Sequence, residues 1–496
     1  MYSNVRSAAL LACLLAVGVS AQTPEKPHVS PLGDAPALYA ANCVGCHGDD
    51  LAGGRGPSLF ADALLADRTD AQLIEAIQVG KADAGMPAFG QQLDSEQIAR
   101  LVTFMRLRAG RLRGRPSFLP NPDGQVVQSE KQRFRIDVLA SALNTPWGFV
   151  FLPDGRMLLT ERPGRLRFLD RDGQLHPEPV RSAPEAWVRQ DGGYFDIALH
   201  PDYAQNGWIY LSFSEVVPGY DRPIPETGKQ DLPPSMTRIV RGRINAENEW
   251  VDQQDIYAAP AELYTSSVIH YGSRFLFDDE GHLFWTIGDR GVMEHAQDLS
   301  SPLGKIHRIF DDGSIPPDNP FVDTPGALPS IWTWGNRNPE GLAFDPATGL
   351  LWESEHGPVG GDEINIIEKG VNYGWGVVSM GLQPGITKQH QDGMEDPIAY
   401  YVPSIAPSGI SFYNADRYPG WKGDLFVSAL AGQKLLRFDI EGREIVHQET
   451  VFDGFGRVRD VTTGPDGLMY LLIQNSQRLA NSPGMVIRLE PLPPAE

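Results

Sequence analysis

Cysteine is nearly missing from this chain: there are three in 496 residues, at positions 13, 43 and 46. Setting Cys13 aside with the leader leaves a single pair, which excludes a disulfide framework and denies a structural zinc site its second cysteine pair. Basic charge is also scarce. With 42 Lys+Arg against 63 Asp+Glu the net charge is −21, which excludes nucleic-acid binding and general adhesion to anionic lipid and is read most simply as solubility. The apolar run at the start, from Ala8 to Val19 behind Arg6, is too short to span a bilayer comfortably, so no membrane span is expected. Followed by the small residues Val19-Ser20-Ala21, it reads as a secretory signal over residues 1–21. The expected location is therefore periplasmic or secreted; lipoprotein processing at Cys13, in LLAC, is the alternative.

What the chain has is length for two or three domains, 41% hydrophobic residues, and the turn-formers Gly 52 and Pro 41, a composition that suggests β structure. Its two mature cysteines fall in NCVGCHGDD, and Cys43-x-x-Cys46-His47 is the c-type haem attachment pattern. Cys43 and Cys46 would form thioethers to the haem vinyl groups, with His47 beneath the iron as proximal ligand. A soft sixth ligand is expected, and Met86 in AGMPAFG, about forty residues on, has the context for it. Around these, Asp34 is placed to cap a first helix, and Thr69 with Gln72 reads as a capping box for a second. Asp94 with Gln97 reads as the box for a third, with Leu93 and Ile98 as its staple and Ile98, Leu101, Val102 and Met105 as its apolar face. Residues 34–110 resemble a class I cytochrome c, which implies a small all-α electron carrier. Residues 111–133 read as a linker, stiffened by Pro116, Pro120 and Pro122. At the boundary Arg106, Arg108, Arg111, Arg113 and Arg115 read as solvated cations at a helix end, or as a docking surface for an acidic partner.

From 134 to 492 the pattern becomes short β runs. A turn of Asp or Pro with Gly precedes four or five apolar residues in LPDGRMLLTE, HPDYAQNGWIYLSFSE, FDDEGHLFWTIGDRG, FDPATGLLWESEHGP, PGWKGDLFVSALAG and GPDGLMYLLIQ. Six such phrases predict an all-β six-bladed propeller, closed by GMVIRLE against FRIDVLA, with 215–262 as a long insertion; a pair of β-sandwiches is the runner-up. Polar groups concentrate around His270, Asp289, Arg337 with Asn338, and Arg457 with Arg459, the last two spaced to project from one side of a strand. On the residues alone, this is a propeller that binds an anionic ligand.

The stretches TERPGRLR, GSRFLFDDEGHLF, GDRG, NRNPEGLAF, EHGPVGGDEIN, NYGWG, PSIAPSG and RDVTTGPDG, in this order, resemble the soluble pyrroloquinoline-quinone (PQQ)-dependent aldose dehydrogenases. That resemblance implies PQQ and calcium as cofactors, a small-molecule sugar as substrate, and oxidation at C1 to the lactone. It implies His270 as general base, Asp289 as its carboxylate partner and Arg337 as stabiliser of negative charge on the quinone. Cofactor contacts would come from Gln190, Asp191, Arg337, Asn338, Ser404, Arg457 and Arg459. The carbonyls of Gly357 and Pro358 would hold the calcium that polarises the quinone, and Glu363 with the backbone of Tyr373 a second one. Two departures stand out: Ala431 occupies the place of a cofactor-binding lysine, with Lys434 three residues on, and Asp191 brings a negative charge toward an anionic quinone. The two halves together imply electrons passing from sugar to PQQ to haem c and on to an external acceptor, a cytochrome or a quinone. The alternative is a non-catalytic carbohydrate- or protein-binding propeller attached to an electron-transfer cytochrome.

Overall fold

The structure, a computed structural model, describes residues 34–48, 51, 55–57, 59, 68, 70–113, 121–225, 231–474 and 484–493. The expected leader and Thr69 lie outside the described residues. The N-terminal part contains α1 (Ala35–Asn42), α2 (Val44–His47), α3 (Asp70–Val79) and α4 (Ser95–Arg113). The capping box at α4 forms as the sequence predicts: the Gln97 amide donates to Asp94 Oδ1 at 2.8 Å and the Asp94 amide donates to Gln97 Oε1 at 3.1 Å. Ile98, Leu101, Val102 and Met105 are buried in one cluster with Tyr39, Leu73 and Ile77. Asp34 occupies the N-cap of α1 but makes no side-chain cap bond. Its carboxylate instead accepts from Gln97 Nε2 at 3.0 Å and faces Arg100 at 3.6 Å, because α4 offers charged and amide donors that outbid a backbone N–H. Arg106 is neither a solvated cation nor a docking group. Its guanidinium is 2.6 Å from Asp70 and ties α4 to the start of α3.

Helix α4 continues to Arg113, and the strand Val126–Gln128 is paired with Arg133–Leu143. Residues 114–120 of the expected linker, with Arg115, Pro116 and Pro120, lie outside the described residues.

The remainder forms six antiparallel sheets among the described residues. Blade one has Pro146–Phe151, Met157–Glu161 and Arg165–Leu169; blade two has Tyr194–Leu199, Ile209–Val216, Ser235–Ile244 and Trp250–Tyr257. Blade three runs from Phe275–Phe277 to Ile331–Trp334, blade four from Pro339–Phe344 to Ala399–Tyr401, and blade five from Pro407–Phe412 to Glu444–Asp453. Blade six combines Arg457–Thr463, Met469–Gln474 and Gly484–Leu492 with Arg133–Leu143 and Val126–Gln128. The first strand of each blade packs on the first strand of the next, and that of blade six returns to blade one, closing the ring. Closure uses the expected pair, with Ile136 opposite Leu489 and Val138 opposite Ile487. Apolar clusters fill the gaps between neighbouring blades, so no long apolar edge is left open. The expected insertion at 215–262 is corrected: it contains the third and fourth strands of blade two.

Polar residues from the inner strands fill the axis. Arg274 Nη1 reaches Asp196 at 3.2 Å and Asp460 at 3.1 Å, while its Nε donates to the Glu340 carbonyl at 2.9 Å. The guanidinium groups of Arg274 and Arg459 lie 4.6 and 5.0 Å from the Trp147 ring. Gly409 makes room for this packing, since a Cβ there would lie 1.9 Å from Asp460 Oδ1. With one arginine between two buried carboxylates, burial pushes Asp196 up and Asp460 up to about 6.

Candidate active site and haem site

In the helical domain the attachment pattern turns from α1 into α2, with the amides of Cys46 and His47 donating to the Cys43 carbonyl at 3.1 and 2.9 Å. Burial first, and then the neighbouring Cys46, push the Cys43 thiol up to about 11, so it is held neutral. Both cysteines are free of disulfide. His47 Nδ1 lies 2.9 Å from the Pro57 carbonyl. A carbonyl only accepts, so Nδ1 carries the proton and Nε2 keeps its lone pair for a metal. Met86 sits on a tight loop closed by reciprocal backbone bonds with Lys81 and, like Cys43 and Val44, packs against the buried cluster of this domain. These residues fit a covalently held haem.

In the propeller the sequence-predicted base and its partner meet. His270, just before blade three, has φ +55°, an uncommon conformation for a residue with a Cβ and one that clusters at functional sites. Its Nδ1 is 2.6 Å from Asp289 Oδ1. Asp289 is buried and has two further donors, the Gly291 amide to Oδ1 and Trp375 Nε1 to Oδ2, each at 2.7 Å. Burial alone would raise Asp289, but the bond from His270 and the nearby Arg337 hold it below the usual carboxylate range. Burial, reinforced by Arg337 and opposed by Asp289, lowers His270. The pair is therefore a carboxylate beside a neutral imidazole whose Nε2 is free to take a proton.

Arg337 and Asn338 are fixed through their backbone amides, which donate to Glu355 Oε2 at 2.5 and 3.1 Å. The Arg337 Nη1 donates to the His356 carbonyl at 2.9 Å, its guanidinium lies 5.1 Å from the Trp375 ring, and its buried Nε has no partner. Trp375 thus touches both the carboxylate that orients the base and the cation beside it. The predicted calcium donors converge as well: Gly357, Pro358, Glu363 and Tyr373 share the wall of one cavity with Arg337 and His356. Glu353 and Glu363 are held well above the carboxylate range, by burial first and then by the charge of Glu355, and Glu355 is raised to about 7 by burial, with Asp289 adding to it. Among the described residues no lysine or arginine side chain forms an ion pair with these three. A buried acidic group of this kind, next to backbone carbonyls, fits a hard dication.

Other predicted contacts are placed differently. Gln190 and Asp191 are exposed between blades one and two, Gln190 at φ +49° and Asp191 with its amide on the Val268 carbonyl at 3.1 Å. Arginines meet the charge of Asp191: it acts on Arg162 and Arg290 as well as on His270. Ser404 donates its hydroxyl to Asp362 at 3.0 Å, and the same carboxylate accepts from the amides of Gly357, Ile405 and Ala406. The expectation that Arg457 and Arg459 project together is corrected. A bulge between Val458 and Asp460 breaks the alternation, and Arg459 turns into the axis, where it pairs with Glu340 and reaches Ser408 Oγ at 3.1 Å. Arg457 is half-buried at the strand start. Sequence reasoning passed over Trp375, His356, Glu355 and Asp362, although NYGWG and EHGPVGGDE had already marked their neighbourhoods.

The glucose/sorbosone dehydrogenase family model matches residues 143–481. The chain belongs to that family. It is an oxidoreductase of this type with a cytochrome c domain on the same polypeptide; residues 32–105 match the model described as cytochrome c oxidase, cbb3-type, subunit III. Among relatives, it is similar to the aldose sugar dehydrogenase YliI of Escherichia coli (strain K12), 38% identical over 350 residues, covering 69% of this chain and 90% of that protein. Among solved structures, it is similar to the soluble aldose sugar dehydrogenase from Escherichia coli in its apo-form (TM-score 0.65, 35% identity, 72% of this chain and 100% of that one). It is also similar to the PQQ-bound aldose sugar dehydrogenase of Streptomyces coelicolor (TM-score 0.58, 26% identity, 75% and 100%). No helix among the described residues is long and apolar enough to cross a membrane.

Proposed function

We propose that this protein oxidises an aldose at C1 to the lactone with PQQ and calcium bound in the propeller, and passes the electrons through haem c to an external acceptor, acting in the periplasm or after secretion. The observation that carries the reading is the His270–Asp289 pair at 2.6 Å beside the half-buried Arg337, next to a cavity lined by Gly357, Pro358 and Glu363. Bound PQQ supplies a two-electron acceptor, calcium a Lewis acid, and haem c a one-electron carrier. His270 Nε2 takes the C1 hydroxyl proton while Asp289 stabilises the imidazolium that forms. Arg337 presents a desolvated cation to the negative charge that develops as C1 loses its hydride. The carbonyls of Gly357 and Pro358 would hold the calcium that polarises the quinone, and Glu363 with the backbone of Tyr373 a second one. Cys43 and Cys46 anchor the haem, and His47 and Met86 ligate its iron.

The test is stopped-flow spectroscopy on protein loaded with PQQ and calcium. An aldose reduces the haem in a phase whose rate does not change with protein concentration, since both centres share one chain. Haem that stays oxidised while an artificial dye is reduced refutes the electron route. The absence of any dye reduction across a panel of aldoses refutes the enzyme itself.

A further inference from the structure

The histidine of EHGP has a fixed proton position. Asn338 Oδ1 accepts from the Gly272 amide at 3.0 Å, and its Nδ2 donates to Glu340 Oε1 at 2.9 Å. Turning the amide over would set its NH2 against the Gly272 N–H and its oxygen against the Glu340 carboxylate, so the assignment is forced. The second Nδ2 hydrogen then faces His356 Nδ1 at 3.3 Å. Nδ1 is the acceptor, and the proton of the neutral ring is on Nε2.

Among the described residues that Nε2–H has no hydrogen-bond acceptor. The nitrogen is buried and unpartnered. Glu340 Oε2, the nearest carboxylate oxygen, is 3.8 Å away, beyond hydrogen-bonding distance, and is engaged by Arg459. The ring, four-fifths buried, lines the same cavity as Arg337, Gly357 and Pro358. An oriented donor left unsatisfied in a ring that lines a cavity is costly unless a ligand completes it.

We infer that His356 is a cofactor-binding residue whose Nε2–H donates to an anionic oxygen of the bound quinone, with Asn338 as the residue that sets its tautomer. This rests on the proposed PQQ site and adds a side chain to it.

The experiment is equilibrium dialysis of the full-length, haem-bearing, calcium-loaded, quinone-free protein against PQQ. His356→Leu weakens binding by about 10- to 100-fold, the worth of one hydrogen bond to a charged acceptor. His356→Gln, which keeps a donor, stays within about threefold of the wild type. Equal binding by wild type and His356→Leu overturns the inference, as does a His356→Gln variant as weak as His356→Leu. Should His356→Leu fail to fold, histidine-selective 15N spectra of the wild type decide the matter, with the His356 resonance identified by its absence in His356→Gln. A proton found on Nδ1 overturns the inference. Wild-type protein that takes up no PQQ refutes the underlying site instead.

Discussion

Replacing Asp289 by Asn probes the catalytic pair through donors that the structure counts. The carboxylate accepts three: His270 Nδ1 and the Gly291 amide on Oδ1, and Trp375 Nε1 on Oδ2. An amide offers one acceptor oxygen. If that oxygen faces Trp375, the NH2 confronts the Gly291 N–H and donates to His270, which moves the ring proton to Nε2 and removes the base. If it faces His270 and Gly291, the indole N–H is buried against an NH2 group. Either way a buried donor loses its acceptor, which costs about 1–3 kcal/mol in stability. The rate falls further, by roughly 10²- to 10⁴-fold in kcat, as expected when a base loses its tautomer and the counter-charge for its imidazolium. The residual activity persists to lower pH than in the wild type, because Asp289 raises the proton affinity of His270 and its removal leaves burial and Arg337 opposed by Asp191 alone. Steady-state dye reduction by PQQ- and calcium-loaded protein, followed across pH beside thermal melting, measures all three effects. Activity within about threefold of the wild type would refute the assignment of His270 as base.

Arg337→Gln shifts the acid limb of kcat/KM the other way, to higher pH, since Arg337 is the second cause of the lowered His270; it also reduces kcat by roughly 10²-fold through lost charge stabilisation, and a limb that stays in place refutes the coupling. Calcium binding releases protons and weakens as the pH falls through about 7, because Glu355 is raised to about 7 and Glu353 and Glu363 lie above the carboxylate range. Calorimetry in two buffers of different ionisation enthalpy measures that release, and identical heats contradict it. Gly56→Ala sets a Cβ 3.0 Å from His47 Cε1 and 3.2 Å from Nδ1. It displaces the proximal ring, destabilises the helical domain by about 1–3 kcal/mol and lowers haem content per protein, read from the haem absorption.

The sequence was most readable where the physics is local. The haem pattern is five consecutive residues, the Asp94–Gln97 box spans one helical turn, and each blade repeats a turn followed by an apolar strand. Reading failed where a neighbour distant in the chain decides. Asp34 was identifiable as an N-cap residue, but not that its carboxylate turns to Gln97, 63 residues on. Trp375 reaches Asp289 across 86 residues, and Arg459 reaches Glu340 across 119. Strands without alternation were also missed. SMTRIVRGRI in blade two is largely buried on both faces, while the middle of WVDQQDIY is exposed at the blade edge, so neither shows a period of two. At Arg457 and Arg459 the spacing was right and the inference wrong, because one bulged residue cancels the rule that i and i+2 share a face.

The acidity of the chain, readable at first only as solubility, has a second use inside the ring. Arg274, Arg290 and Arg459 are buried within the propeller and Arg337 is half-buried, and a buried cation persists only with partners. Asp196, Asp460 and Glu340 supply them along the axis. Two of the buried donors left without a partner, Arg337 Nε and His356 Nε2, belong to residues lining the cavity, and beside them Glu353, Glu355 and Glu363 hold their protons in the absence of a cation. An anion alone would satisfy those donors and leave the acids protonated; a dication alone would draw off their protons and leave the donors unmet. An anionic quinone bound together with calcium meets both, which is why the two cofactors are expected to bind with positive cooperativity rather than independently.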